Sequence, residues 1–90
     1  MEFTAMLMIE FDVAVDRISR AMFDEKFAAY GWLKPGGMTS AWAIEFERSS
    51  RESALGSTRN MLQLALQGAR IRRDHVKAVL HLGPDAPIMV

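Results

Sequence analysis

The sequence predicts a small α+β domain, in which an antiparallel sheet is covered on one face by two helices. Apolar and polar residues alternate in three segments, which is the period of half-buried strands. Two further segments repeat their apolar residues at helical spacing. With one short extra strand, the order is strand, helix, strand, strand, helix, strand, which suits a sheet with helices on one side.

The first strand is predicted over residues 6–13 and the first helix over residues 15–30. Alternation along the strand predicts a core face made by Leu7, Ile9 and Phe11. Gly31 follows the last apolar residue of the helix and supplies the left-handed position that ends it. The first half of the chain is therefore a strand followed by a helix.

A hairpin is predicted next, with a short strand over residues 32–34 and a longer one over residues 39–47. The sequence Pro35-Gly36-Gly37 between them is typical of a turn. In the longer strand the residues predicted to face the core are Trp42, Ile44 and Phe46.

The second helix has a predicted capping box, with Ser49 as N-cap and Glu52 three residues later. Gly56-Ser57 interrupts the helical pattern, so we expect a broken or late-starting helix that ends near Gly68. A last strand over residues 76–82 completes a ferredoxin-like βαββαβ fold. Residues 1–83 then form a single domain, and residues 84–90 form a C-terminal tail.

The composition narrows the classes of function. The 90 residues include 11 basic and 11 acidic side chains, so there is no overall positive field to attract nucleic acid. Cysteine is absent, which excludes disulfides and thiolate metal sites. No apolar run approaches the ~20 residues of a membrane span, and the N-terminus lacks the basic start of a signal peptide. We expect a cytoplasmic protein without a membrane partner.

One face of the predicted sheet stays uncovered by the helices. It carries apolar residues beside charged ones, and an exposed apolar surface of this kind usually marks an interaction site. We expect a homodimer through this face, with Met8, Glu10 and Ala43 at the interface and close to their own copies across a two-fold axis. The alternative is that single surface methionines and alanines have no such meaning.

Three short motifs resemble a known family. They are IEFD at the end of the first strand, AAYGWLK at the end of the first helix and TSAW at the start of the longer hairpin strand. In this order they resemble the CRISPR-associated small ribonuclease family and the related virulence-associated protein D family. The type V antitoxin ribonuclease has a similar first-strand FD. The resemblance covers residues 6–82 in layout, and it departs at Met38-Thr39, where relatives often have a polar residue such as glutamine.

The resemblance implies a symmetric dimer that cleaves RNA or DNA phosphodiesters with a divalent metal, Mg²⁺ or Mn²⁺. Carried over by position, Asp12 is the catalytic residue and metal ligand, and Ser40 is the serine of the Ser-x-aromatic element. Carboxylate oxygens are the ligands that such hard cations prefer.

Other interpretations of these residues remain open. Asp12 can instead form a turn at the end of a strand by accepting nearby backbone N–H groups, and Asp16 can cap a helix. Arg70, Arg72 and Arg73 in ARIRRDH suit the binding of phosphates, although such basic runs are often solvated connections.

Two hypotheses follow, from different classes of function. The first is a small metal-dependent endonuclease-like homodimer, active or inactive, with nucleic acid as its partner. The second is a non-catalytic ferredoxin-like module for dimerisation or protein interaction. The neutral net charge favours the second hypothesis and the three motifs favour the first, which we prefer, with the second as the alternative.

Overall fold

The structure is a computed structural model that describes residues 3–38, 40–47 and 49–90. Its elements in chain order are β1 (Phe3–Phe11), α1 (Arg17–Ala29), β2 (Ala41–Phe46), α2 (Arg51–Gly68), β3 (Val76–Leu82) and β4 (Ile88–Met89). The strands form one antiparallel sheet in the order β2-β1-β3-β4. The predicted α+β class with a ferredoxin-like order of elements is confirmed.

Strand register decides which side chains reach the core. Leu7 of β1 lies opposite Trp42 of β2 and Leu80 of β3, and directly opposed residues point to the same face of a sheet. All three are buried, so the predicted core face of the sheet is correct. Phe23 and Phe27 of α1 pack on this face, and the ring of Phe27 meets that of Trp42 edge to face at 5.2 Å.

The first helix begins and ends as its sequence predicts. Asp16 is the N-cap and accepts the backbone N–H of Ser19 at 2.7 Å. At the other end, Gly31 has φ of 102° and donates its N–H to the carbonyl of Ala28. A residue with a side chain would be strained in this left-handed conformation, which explains the glycine.

The predicted hairpin forms only in part. Its short strand is reduced to one residue, Leu33, which exchanges two backbone hydrogen bonds with Ala43 of β2. A single 3₁₀ turn, Pro35–Gly37, follows, in which Gly36 and Gly37 both have positive φ. Thr39, where the longer strand was predicted to begin, lies outside the described residues.

The second helix differs from the prediction at its start. It is continuous from Arg51 to Gly68, without a break at Gly56. Its N-cap is Ser50, whose Oγ accepts the N–H of Ser53, so the predicted cap at Ser49 is wrong by one residue. Packing of the apolar face of the helix on the sheet outweighs the low helix propensity of one glycine.

A left-handed residue after the second helix is Arg70, not glycine. The N–H of Arg70 bonds to the carbonyl of Gln67, and the N–H of Ile71 bonds to that of Leu66. This pair of bonds is a Schellman motif, whose left-handed position is usually glycine. Arg70 fills it with φ of 58°. Gly68, predicted as the C-cap, is instead the last residue of the helix, and Ala69 is the C-cap.

Residues 84–90 are not a simple tail, which differs from the prediction. Ile88 and Met89 form β4, where they pair with Leu80 and Val79 of β3. Within the same segment, Asp85 forms an ion pair with Arg51 at the start of α2. The end of the described chain therefore belongs to the folded domain.

The face of the sheet away from the helices carries a mostly apolar strip that includes the polar residue His81. One row crosses all four strands through directly opposed residues, and a second row lies beside it. We call these residues the open-face belt: Ala41, Met8, Val79 and Met89 in the first row, and Ala43, Met6 and His81 in the second. Charged or polar pairs flank the belt, with Glu10 opposite Lys77 on one side and Thr4 opposite Glu45 on the other.

Candidate functional site at the end of the first strand

Asp12 follows β1 directly and shapes the turn into α1. Its Oδ1 accepts the N–H of Ala14 at 2.8 Å, which is the bond of an Asx turn. Its backbone N–H donates to the carbonyl of His75 at 2.8 Å, and its own carbonyl accepts the N–H of Val15. The side chain is exposed. Asp12 therefore has the turn-forming role that the sequence left open, and its exposed carboxylate can still meet a ligand.

Ser40 lies at the same end of the sheet as Asp12. Its carbonyl accepts the N–H of Ile9 at 2.8 Å, just before β2 begins. The exposed Ser40 lines a cleft of about 430 Å³ between the sheet and α1. The other residues lining this cleft are Ile9, Glu10, Phe11, Arg20, Asp24, Lys34 and Trp42.

Two cations of this cleft are held in fixed positions. Lys34 donates to Asp24 with Nζ–Oδ2 at 2.8 Å, and its ammonium lies 4.9 Å from the centre of the Trp42 ring. Arg20 donates to the carbonyl of Val15 through Nε and to that of Asp12 through Nη2. The guanidinium of Arg20 thus links the cleft that contains Ser40 to the turn at Asp12.

The three arginines of the basic connection do not form one patch. Arg72 makes a bidentate salt bridge with Asp74, in which Nε donates to Oδ1 at 3.0 Å and Nη2 donates to Oδ2 at 2.8 Å. Arg73 donates to the backbone carbonyls of Val76 and Val90. Arg70 and Arg72 line one cavity of about 220 Å³ beside the start of α1, whereas Arg73 lines a separate groove along α2. Two of the predicted phosphate contacts are thus occupied within the protein.

Several ionisable side chains surround Asp12. A cavity of about 110 Å³ is lined by Glu10, Asp12, Asp74, His75 and Lys77 together with two apolar residues. Even so, the part of the chain that the structure describes contains no group of three or more His, Asp or Glu side chains placed to hold a metal ion. A metal at Asp12 would therefore need ligands from a second copy of the chain or from the substrate.

The acidic group at the start of α1 is held in its charged form. The backbone N–H and the hydroxyl of Ser19 donate to Asp16, and these bonds lower the pKa of its carboxyl below the ordinary value of 3.8. Asp16 therefore remains an anion beside Arg70 and Arg72 in the cavity that they share. This negative charge makes the cavity a poor site for phosphate.

The residues predicted at a dimer interface lie together on the open face. Met8 is 46% exposed and belongs to the first row of the open-face belt, and half-buried Ala43 belongs to the second. Glu10 is exposed at the edge of the belt, opposite Lys77. The strand alternation in the sequence placed all three correctly on this face.

Sequence reasoning missed the roles of Arg20, Asp24 and Lys34. Arg20 and Asp24 are four residues apart on α1, on the side that borders the end of the sheet. Lys34 comes from the loop after the single-residue strand at Leu33. The spacing of four residues on α1 predicts that Arg20 and Asp24 lie on the same side of the helix. Only the folded chain brings Lys34 to Asp24.

Comparison with protein families, with curated proteins and with solved structures gave no significant match. The resemblance to the small ribonuclease families therefore stays a prediction. Within the described residues, the structure has no helix of the length and apolarity needed to cross a membrane.

Proposed function

We propose that this chain is a homodimerisation module, in which the open-face belts of two copies pack against each other. The observation that carries the proposal is the apolar row through Met8, Val79 and Met89 on three neighbouring strands, which continues to the buried Ala41 on β2. Met89 is 67% exposed and Met8 46% exposed in the single chain. Contiguous apolar surface of this kind is expected to be covered in the working protein.

A second copy is the occupant that best fits the chemistry of this face. Glu10 and Lys77 lie side by side at one edge of the belt. A two-fold axis places the same patch on both partners, so the Glu10 of one copy can approach the Lys77 of the other. The net charge of the chain is zero, so no overall repulsion opposes the pairing.

The size of the domain also favours a partner. A chain of 90 residues buries only roughly 60–65% of its unfolded surface and has a small core to stabilise it. Covering the belt would add apolar burial worth about 25 cal/mol for each Å² removed from water. Dimerisation would thus raise the stability of the fold as well as hide the belt.

The test is sedimentation equilibrium at micromolar concentration on the parent chain and two matched variants. Met8→Glu places a charge in the centre of the belt, whereas Ile18→Glu places one on the outer side of α1, where Ile18 is 74% exposed. We expect the parent and Ile18→Glu to sediment as dimers and Met8→Glu as a monomer. A monomeric parent, or a Met8→Glu dimer, would overturn the proposal.

The second candidate function is metal-dependent cleavage of RNA or DNA at Asp12 in this dimer. It is favoured by the exposed Asp12 carboxylate next to the cleft that contains Ser40, where Arg20 and Lys34, the latter paired with Asp24, supply positive charge. Mg²⁺ or Mn²⁺ would supply an activated water, with Asp12 of both copies as ligands.

Cleavage is tested with single-stranded and double-stranded RNA and DNA in the presence of Mg²⁺ or Mn²⁺. Asp12→Asn keeps an Oδ1 that can accept the Ala14 N–H, so the fold is retained while the charge that binds a hard cation is lost. We expect cleavage by the parent and by the control Asp85→Asn, and none by Asp12→Asn. If the parent cleaves nothing, or Asp12→Asn cleaves like the parent, this second function is wrong.

A further inference from the structure

A groove with a volume of about 370 Å³ runs along α2. Its floor consists of Leu62 and Leu66 of α2 and of Ile71, which follows the helix. Val90, next to β4, closes the far wall. The remaining residues lining the groove are polar and lie on its rim: Arg59, Gln63, Gln67 and Arg73. The volume is within the usual range for small-molecule sites.

The rim of the groove has a positive charge. Among the described residues that line it, two are arginines and none is acidic. Arg73 is fixed by donating to the carbonyls of Val76 and Val90, so its charge stays at the wall. Gln63 and Gln67 add side-chain amides that can donate hydrogen bonds. A ligand with an apolar body and an anionic group complements this arrangement.

The groove is also elongated. Arg59, Gln63 and Gln67 are four residues apart and therefore lie in line along one side of α2. The distance from the first to the last is about 12 Å at the rise of an α-helix. An extended chain fits this shape better than a compact ring.

We propose that this groove binds a medium-chain fatty carboxylate. The alkyl chain lies along Leu62, Leu66 and Ile71, and the carboxylate accepts hydrogen bonds from the guanidinium of Arg59, which presents a planar fork suited to it. This site is separate from the open-face belt and from the cleft at Ser40.

The probes are sodium decanoate, decyltrimethylammonium and sodium acetate, each kept below its micelle concentration where it has one. Binding is followed by amide chemical shifts of the ¹⁵N-labelled chain. We expect saturable shifts with decanoate that centre on Leu62, Leu66 and Ile71. Decyltrimethylammonium has the same chain and the opposite charge, so it should bind at least several-fold more weakly, and acetate should not bind.

Variants test the role of charge in this binding. Arg59→Gln should weaken decanoate binding about tenfold, because one charge-assisted pair is lost. Arg17→Gln, which changes an exposed arginine of α1, should bind like the parent. The proposal is overturned if decanoate causes no saturable shifts or if the shifts centre on the open-face belt. It is also overturned if the cationic probe binds equally well, or if Arg59→Gln binds as tightly as Arg17→Gln.

Discussion

Arg70 shows how a single residue can oppose the local backbone preference. Its φ of 58° lies in the left-handed region, where a Cβ atom approaches the following carbonyl. The two Schellman bonds hold it there, and the guanidinium is exposed beside the start of α1. Strained residues of this kind are often found at functional sites, which keeps Arg70 a candidate for ligand contact.

We expect Arg70→Gly to stabilise the fold by about 0.5–1 kcal/mol, because glycine adopts this conformation without strain. The measurement is the urea midpoint of unfolding. Arg70→Ala is the matched control, since it removes the same guanidinium but keeps the Cβ atom. If both variants have equal midpoints, relief of backbone strain is not the cause.

The charge of Asp16 makes the stability of the fold depend on pH in the acidic range. Its pKa is lowered in the folded chain by the hydrogen bonds from Ser19. A carboxyl whose pKa falls on folding stabilises the fold above its unfolded pKa, and this contribution is lost as the pH drops through the folded pKa. The relevant window therefore begins near the ordinary value of 3.8 and extends below it.

We expect Asp16→Asn to melt at a lower temperature than the parent at neutral pH, since the amide caps the helix without the charge. The difference in melting temperature should shrink as the pH falls below 3.8 and the parent carboxyl becomes protonated. Melting curves by circular dichroism between neutral and acid pH measure it. A difference that stays constant over this range would contradict the lowered pKa.

At residue scale, the sequence predicted what depends on local chemistry. Asp16 as an N-cap and Gly31 as a left-handed terminator follow from adjacent residues, and both are confirmed. The ion pair of Lys34 with Asp24 depends on parts of the chain that only folding brings together, and Arg70 occupies a position where the sequence pattern expects glycine. The sequence pattern also did not predict the burial of Trp32, whose ring stacks on that of Phe27 at 4.9 Å.

At the scale of elements, alternation along the strands predicted their faces well. The residues predicted to lie on the core and open faces of β1 and β2 are on those faces in the observed register. Side chains alternate with a period of two, so one buried face fixes the orientation of every other residue in the strand. Helix boundaries were less predictable. A serine pair at Ser49-Ser50 offers two caps, and only the packed helix selects Ser50.

The continuity of α2 through Gly56 leads to a direct test. A methyl group at Gly56 would meet no other atom within 4 Å, and the residue is exposed. We expect Gly56→Ala to stabilise the fold by ~0.5–1 kcal/mol, because alanine has the higher helix propensity. Urea unfolding monitored by circular dichroism measures the change.

Gly68 provides the control for this substitution. A Cβ atom there would lie 2.5 Å from Cε of Lys26, so the lysine side chain must move aside. Gly68→Ala should gain less stability than Gly56→Ala. A loss of stability at Gly56 would show that the helix is not continuous at that position, and equal gains would show that Lys26 moves aside without cost.

For the whole molecule, the sequence predicted the fold class but not that the short hairpin strand is reduced to Leu33 or that the last residues add β4. In residues 84–90 the apolar run Ile88-Met89-Val90 follows two prolines and is too short to show the alternation of a strand. In the fold, Ile88 covers the core while Met89 extends the open-face belt to a fourth strand. The belt as a continuous surface thus depends on a pairing that only the folded chain reveals.

The two proposed functions share the same dimer. In the first, the dimer is the function, and in the second it brings two copies of Asp12 together at a shared metal. The turn-forming bond from Ala14 to Asp12 and the internal bonds of Arg72 and Arg73 favour the first. The cations of the cleft beside Ser40 favour the second.

The central claim is that the open-face belts of two copies meet, and one measurement tests it most directly. In a sample that mixes ¹³C-labelled and unlabelled chains, isotope-filtered nuclear Overhauser spectra detect only contacts between copies. The account predicts such contacts from the methyl groups of Met8, Val79 and Met89. A spectrum without contacts between copies, or with contacts only from Ile18 and Met22 of α1, would contradict it.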